Sequence, residues 1–219
     1  MPKKNLAIFD LDGTLLNTID DLGRAANHAL QLHGLPTHDL ASYPFFVGNG
    51  VVRLLEKAMP ENFRGKDIAQ GLLADFKEYY NEHNTDYTAP YPGIPELLAR
   101  LAEEGVSIAV ASNKYQQATE KIIAHYFPDI PFVAVEGQRE GVPVKPDPSV
   151  VFAILGKTRA LKAETIYIGD SGVDMETARR ACVDSVGVTW GFRPEKELVD
   201  NYAGTIVHSA DEILPLILA

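Results

Sequence analysis

The stretch Leu6-Ala7-Ile8-Phe9-Asp10-Leu11-Asp12-Gly13-Thr14-Leu15 decides the fold. Four apolar residues in a row, with no polar alternation, describe a strand covered on both faces, as in the interior of a parallel sheet. Two aspartates and a glycine follow at once, where a chain leaving such a strand turns toward its next element. Ligands of doubly wound sheets bind beyond the carboxyl ends of the strands, so Asp10 and Asp12 are predicted to face a site. Aspartates with glycine also close ordinary turns, and this stretch alone leaves both readings standing.

Working outward, short β-branched runs recur at Val106 to Ala111, Phe132 to Val135, Thr165 to Ile168, Ser185 to Val188 and Thr205 to Val207. Helical patterns separate them. Gly93 to Glu104 sets Ile94, Leu97, Leu98 and Leu101 on one face and tolerates Pro95 in its first turn. Asp147 before Pro148 reads as an N-cap with proline at the first helical position, and Ser209 to Glu212 as a capping box. Alternating strands and helices predict an α/β, Rossmann-like doubly wound parallel sheet. Residues 18–89 break that rhythm with helical periodicity (Leu22, Ala25, Ala26, Ala29, Leu30; then Val52, Leu54, Leu55, Ala58) and no clear strand. They are predicted to form a small inserted helical domain on a core made of residues 1–17 and 90–219. Its hinges fall near Asn17 and in the breaker-rich Ala89-Pro90-Tyr91-Pro92-Gly93.

Bulk properties narrow the class. With 219 residues, 46% hydrophobic and 23% charged, the chain has an ordinary soluble composition. A formal charge of −10 argues against nucleic acid as a partner, and a small anionic substrate would need a local cation. The start, Met1-Pro2-Lys3-Lys4, is followed by an apolar run that Asp10 stops short of a signal-peptide core, and no run is long enough for a bilayer. The single cysteine, Cys182, forms no internal disulfide, and no His/Cys cluster has zinc spacing. A cytoplasmic monomer or homodimer without a membrane partner is the expectation.

Chemistry concentrates at strand ends. A carboxylate attacks phosphorus only when phosphate charge is neutralised and the attack aligned, which a cation beside Asp10 would allow; Asp12 can then serve as acid and base. Ile168-Gly169-Asp170-Ser171-Gly172-Val173-Asp174 repeats the arrangement at a later strand end. With Asp10, the aspartates 170 and 174 make an oxygen-only cluster suited to Mg²⁺, although helix capping by Asp170 or Ser171 explains that segment taken singly. Ser112 and Asn113, ending the Val106 to Ala111 strand, offer a hydroxyl and backbone amides to phosphate oxygens, or a plain N-cap. Lys145, between Val144 and Pro146, reads as a stiffened charge partner or a solvated lysine.

In order and context, Asp10-x-Asp12-Gly-Thr-Leu, Ser112, Lys145 and Gly169-Asp170-x-x-x-Asp174 resemble the four motifs of the haloacid dehalogenase superfamily, and residues 18–89 its C1-type cap. The resemblance implies a Mg²⁺-dependent hydrolase. Asp10 would be nucleophile and metal ligand, and Asp12 acid/base with its main-chain carbonyl on the metal. Asp170 would complete the ligands, Asp174 act through water or a second contact, Ser112 hold the phosphoryl group, and Lys145 balance charge. Asp12 points to phosphate esters rather than halides. Asn17 stands where relatives often have aspartate.

Gly48-Asn49-Gly50, Tyr91-Pro92-Gly93, Ser112-Asn113-Lys114 and Val188-Thr189-Trp190-Gly191 are most similar to phosphoglycolate phosphatases. Small phosphate monoesters are the implied substrates. Ser112, Asn113, Lys145, Gly48, Asn49, Gly50 and Arg53 are the candidate binding residues, with Arg24, His28 and Lys57 as further charges on what otherwise read as solvated helix faces. Tyr79, Tyr80, Tyr87 and Tyr91 read as packing residues. The competing expectations are a β-phosphoglucomutase-type phosphomutase, a pyrophosphatase of the same superfamily, and a non-catalytic phosphoacceptor or binding module.

Overall fold

The computed structural model describes residues 3–64 and 66–219. Met1 and Pro2, where the signal-sequence reading began, lie outside the described residues. In chain order the first elements are β1 (Leu6–Phe9), β2 (Leu16–Asn17), α1 (Ile19–Leu32), α2 (Gly50–Ala58), α3 (Lys66–His83), β3 (Ala89–Pro90) and α4 (Ile94–Glu103). They are followed by β4 (Ser107–Tyr115), α5 (Gln116–Tyr126), β5 (Phe132–Gln138), α6 (Ser149–Thr158), β6 (Thr165–Gly169) and α7 (Gly172–Ala181). The last are β7 (Asp184–Val188), α8 (Glu195–Asp200), β8 (Thr205–Val207) and α9 (Ile213–Leu218). Short 3₁₀ turns fill several of the connections.

Six strands form one parallel sheet in the order β5-β4-β1-β6-β7-β8. The chain runs outward from β1 through β4 to β5, then crosses back to β6 on the other side of β1. That reversal creates a crevice beyond the ends of β1 and β6, where doubly wound sheets bind their ligands. The unbroken apolar run of β1 is explained by its place: every residue in it is buried. Ala7 and Phe9 pack on one face with Ile108, Val110, Ile166 and Ile168, while Leu6 and Ile8 pack on the other with Ala109, Ala111 and Tyr167. The two faces follow from the two-residue period of a strand.

Helices α1, α2 and α3 build a separate apolar core from Leu22, Ala25, Ala26, Ala29, Leu30, Leu54, Leu55, Phe76 and Tyr80. Val52 departs from the expected pattern: it is exposed, and Val51 is buried in its place, giving the helical spacing 51, 54, 55, 58. Two crossings join this helical lobe to the sheet. There β2 pairs antiparallel with β3, setting Leu16 beside Pro90 and Asn17 beside Ala89. Asp21 ties the crossings together, because its carboxylate accepts from the Thr88 amide (2.9 Å), the Thr88 hydroxyl (2.7 Å) and the Tyr87 amide. Asn17 is exposed and accepts the Ile19 amide at 3.5 Å.

Two expected caps take other forms. α6 starts at Ser149 after Pro148, one residue later than expected, although Asp147 Oδ1 still accepts the Ser149 amide at 2.9 Å. At Ser209 the side chain makes no cap bond; Glu212 instead accepts the Ser209 hydroxyl and the His208 amide around a 3₁₀ turn. Among the described residues no helix is long and apolar enough to cross a membrane.

Candidate active site

β1 delivers Asp10 and β6 delivers Asp170 to the crevice, and the Asp10 amide is fixed by donation to the Ile168 carbonyl at 2.8 Å. Asp10, Asp170 and Asp174, all buried, each bring a carboxylate oxygen within 4.8 Å of the others. Two glycines make this approach possible. Gly13 has φ +87°, and a Cβ there would stand 2.3 Å from Asp170 Oδ2; one on Gly191 would stand 2.3 Å from Asp170 Cβ. Any side chain at either position would displace the carboxylate.

Lys145 is the counter-charge, and it is only 3% exposed rather than solvated. Its Nζ lies 2.8 Å from Asp10 Oδ1 and 2.7 Å from Asp174 Oδ1, with the Tyr167 hydroxyl at 3.0 Å and the Ala111 carbonyl at 2.9 Å. Burial works against the ammonium, but Asp10 and Asp174 outweigh it and hold the lysine well above its ordinary pKa. One cation for three carboxylates leaves excess negative charge. Burial first, then the Asp174 charge, pushes the Asp10 carboxyl up to about 7, and burial with Asp174 and Asp10 raises Asp170 as well.

Asp174 has a structural post too. It forms the capping box of α7: Ser171 Oγ accepts from the Asp174 amide, and Asp174 Oδ2 accepts from the Ser171 amide and hydroxyl. Both Asp174 oxygens are therefore engaged by protein donors. Asp10 Oδ2 and Asp170 Oδ1 accept none among the described residues, since Lys145 and the Phe192 amide use the opposite oxygens. Two free carboxylate oxygens in a charge-rich, oxygen-only cluster fit a hard divalent cation such as Mg²⁺, with Asp174 behind them.

The crevice opens into a solvent-open cleft between the sheet and the helical lobe. Asp10, Asp12, Ser112, Asn113, Lys145 and Asp170 line it from the sheet side, and Gly48 and Gly50 from the lobe. β4 runs on through Ser112-Asn113-Lys114 to Tyr115, so α5 begins at Gln116 and the N-cap reading of Ser112 and Asn113 falls away. Among the described residues Ser112 Oγ accepts only the Lys114 amide, at 3.2 Å. Asn113 is a brace: its side chain accepts the Lys145 amide (2.8 Å) and donates to the Lys145 and Gly48 carbonyls (both 3.1 Å). Its amide group is thus committed to protein partners rather than open to substrate.

Arg53 and Asn49 do not line the cleft. The Arg53 side chain is 68% exposed and pairs with Glu56 one turn on, because α2 turns its Val51, Leu54, Leu55 face inward and leaves position 53 outside. Arg24 lies over the Tyr87 ring, His28 stacks on Tyr79, and Lys57 donates to the Phe45 carbonyl. The cation on the lobe side comes from the sheet domain instead. Arg193 lines the cleft and donates to the Val47 carbonyl (2.6 Å) and to the Pro44 carbonyl. Lys114 is the other cation that residue-by-residue reading passed over, held between Asp12 and Tyr80. Neither bears a local signal, apart from the lysine's place directly after Ser112-Asn113.

A crevice at the reversal point of a doubly wound α/β sheet thus holds a lysine-paired aspartate beside two more carboxylates. The model for haloacid dehalogenase-like hydrolases matches residues 7–188, and the chain belongs to that family. A phosphoglycolate phosphatase of Mesorhizobium japonicum is 32% identical over 189 residues, 85% of this chain and 83% of that protein. One of Mannheimia succiniciproducens is 28% identical over 95% of this chain and 96% of that protein. A crystal structure of an inferred phosphoglycolate phosphatase from Lactobacillus delbrueckii subsp. bulgaricus superposes with a TM-score of 0.90 at 31% identity, covering 99% of each chain. The protein is an enzyme of this family, of the phosphatase kind.

Proposed function

We propose that the protein hydrolyses small phosphate monoesters, phosphoglycolate among them, by a Mg²⁺-dependent route through a phosphoaspartate on Asp10. Residues 18–89 act as a cap over a catalytic core of residues 1–17 and 90–219. The observation that carries the reading is Asp10 itself: a buried carboxylate at the sheet's reversal point, with one oxygen held by Lys145 at 2.8 Å and the other free of protein donors among the described residues. That geometry fixes the orientation of the carboxylate, with one oxygen beside a lysine and the other left for the cation.

The Asp10 oxygen beside Lys145 attacks phosphorus and the bond from phosphorus to the leaving oxygen breaks, with Asp12 giving that oxygen a proton. Asp12 then takes a proton from water, the water oxygen attacks phosphorus, and the bond to Asp10 breaks to release phosphate and restore the carboxylate. Lys145 and the Ser112 hydroxyl steady the transferred group's oxygens, while Asp174 holds Lys145 in place. Asp10, Asp170 and the Asp12 carbonyl would hold the cation, which would neutralise charge on the phosphoryl oxygens. Arg193 gives the cleft local positive charge of the kind an anionic ester needs in a chain of charge −10. The named relatives make phosphoglycolate the first ester to try. The single Cys182, exposed and unpaired, suits a reducing cytoplasm.

The test is phosphate release from a panel of small esters with Mg²⁺ and with EDTA, ranked by kcat/KM. Release that needs Mg²⁺ and is abolished in Asp10→Asn is the expected result. Full activity of Asp10→Asn, or isomerisation of β-glucose 1-phosphate without phosphate release, would refute the assignment.

A further inference from the structure

Lys114 has no place in the phosphoryl chemistry just described, yet it is buried at 6% exposure inside the cleft wall. Its Nζ donates to the Tyr80 hydroxyl at 2.9 Å and lies 3.0 Å from Asp12 Oδ1. The Tyr80 ring stands 4.7 Å away, beneath the ammonium, and Tyr80 is wholly buried. Thr18, the residue just before α1, donates to the same Asp12 oxygen at 2.7 Å. The end of β4 and the entrance to α1 thus converge on one carboxylate oxygen, and helix α3 holds the lysine through Tyr80. Among the described residues Asp12 Oδ2 accepts from no protein donor.

We propose that Lys114, held by Tyr80, is a positioning residue that fixes the Asp12 carboxyl with Oδ1 locked and Oδ2 presented to the leaving-group oxygen. The assignment rests on the phosphatase reading and adds the device that aims its proton donor. A free carboxyl rotates about its last bond and shares its two oxygens among orientations. Two donors on one oxygen remove that freedom, so the proton-bearing oxygen meets the departing alkoxide without searching. The ammonium itself is saturated by Asp12, Tyr80 and the aromatic face. It therefore acts through Asp12 rather than on the substrate.

The consequence is a dependence on the leaving group. An alkoxide cannot depart without a proton, whereas p-nitrophenolate can, so a misaimed Asp12 penalises alkyl esters selectively. The experiment compares wild type, Lys114→Met, Lys114→Arg and Tyr80→Phe, with Mg²⁺, on p-nitrophenyl phosphate, ethyl phosphate and phosphoglycolate. We expect Lys114→Met to lower kcat/KM for both alkyl esters by about 10²-fold, the size of a general-acid contribution, and to leave p-nitrophenyl phosphate within a few-fold. Tyr80→Phe should move the alkyl esters the same way by a smaller factor, and Lys114→Arg should recover part of the loss. Equal losses on all three esters would show a merely structural lysine and overturn the assignment. So would a loss confined to phosphoglycolate with ethyl phosphate spared, which would mark direct anion binding. Wild type inactive on every ester would instead sink the phosphatase reading beneath it.

Discussion

Asp10→Asn should inactivate the protein and, in metal-free buffer, make it more stable, with a gain that depends on pH. The folded site raises the Asp10 carboxyl from 3.8 to about 7, chiefly through burial and then the Asp174 charge. Between those values the native state holds a proton that the unfolded chain has released, so wild type loses stability as pH rises through the window. Above about pH 7 the loss is complete. A gap of about three pH units, at 1.36 kcal/mol each, amounts to roughly 4 kcal/mol. Asparagine resembles the protonated carboxyl and escapes this cost. Urea unfolding in EDTA should therefore show Asp10→Asn ahead of wild type by roughly 4 kcal/mol at pH 8, and by a clearly smaller margin at pH 5, where only the first part of the window has been crossed. Saturating Mg²⁺ should close the gap at pH 8 by stabilising wild type preferentially, since it binds the folded, ionised cluster. An asparagine variant less stable than wild type at pH 8, or a difference that does not change with pH, would refute the electrostatic account of the site.

Ser171→Ala removes the hydroxyl of the α7 capping box and one donor to Asp174, and should cost about 1 to 2 kcal/mol in urea unfolding with a fall in kcat. A stability change of only a few tenths would show that α7 needs no such cap. Arg193→Met removes the guanidinium that holds the Val47 and Pro44 carbonyls. Hydrogen bonds from a charged donor are worth about 1.5 to 3 kcal/mol, so proteolysis near residues 85–93 should quicken roughly ten- to a hundredfold and KM should rise. Unchanged proteolysis would mean that the lobe is held by its other contacts.

The sheet was legible because its interior strands carry their burial in composition. The runs Leu6 to Phe9 and Thr205 to Val207 match the observed strands residue for residue, and the remaining four miss only at their ends. The largest miss is β4, which continues four residues past the apolar run through Ser112-Asn113-Lys114-Tyr115. Those polar residues look like a loop in sequence, yet three of them are buried because they face the cleft and its braces. The irregular register between Ala111 and Tyr115 is the backbone counterpart of the same fact. Periodicity erred in a related way at Val52, where it identified a helix but could not say which stripe is buried.

The two sides of the site differ in legibility for a physical reason. Asp10, Ser112, Lys145 and Asp170 stand at the carboxyl ends of strands or in the loops leaving them, so once a parallel sheet is inferred its topology carries them to one crevice. Thr18, Tyr80, Lys114 and Arg193 meet only when the helical lobe settles on the sheet. No strand order fixes that contact; it depends on how the face of α3 carrying Phe76 and Tyr80 docks over β4. Residues to which the proposed mechanism gives the phosphoryl group thus inherit their positions from secondary structure, while those on the lobe side of the cleft are placed by tertiary docking. Substitutions that alter lobe docking should accordingly change which esters are hydrolysed, and leave the carboxylates and Lys145 of the crevice where the sheet puts them.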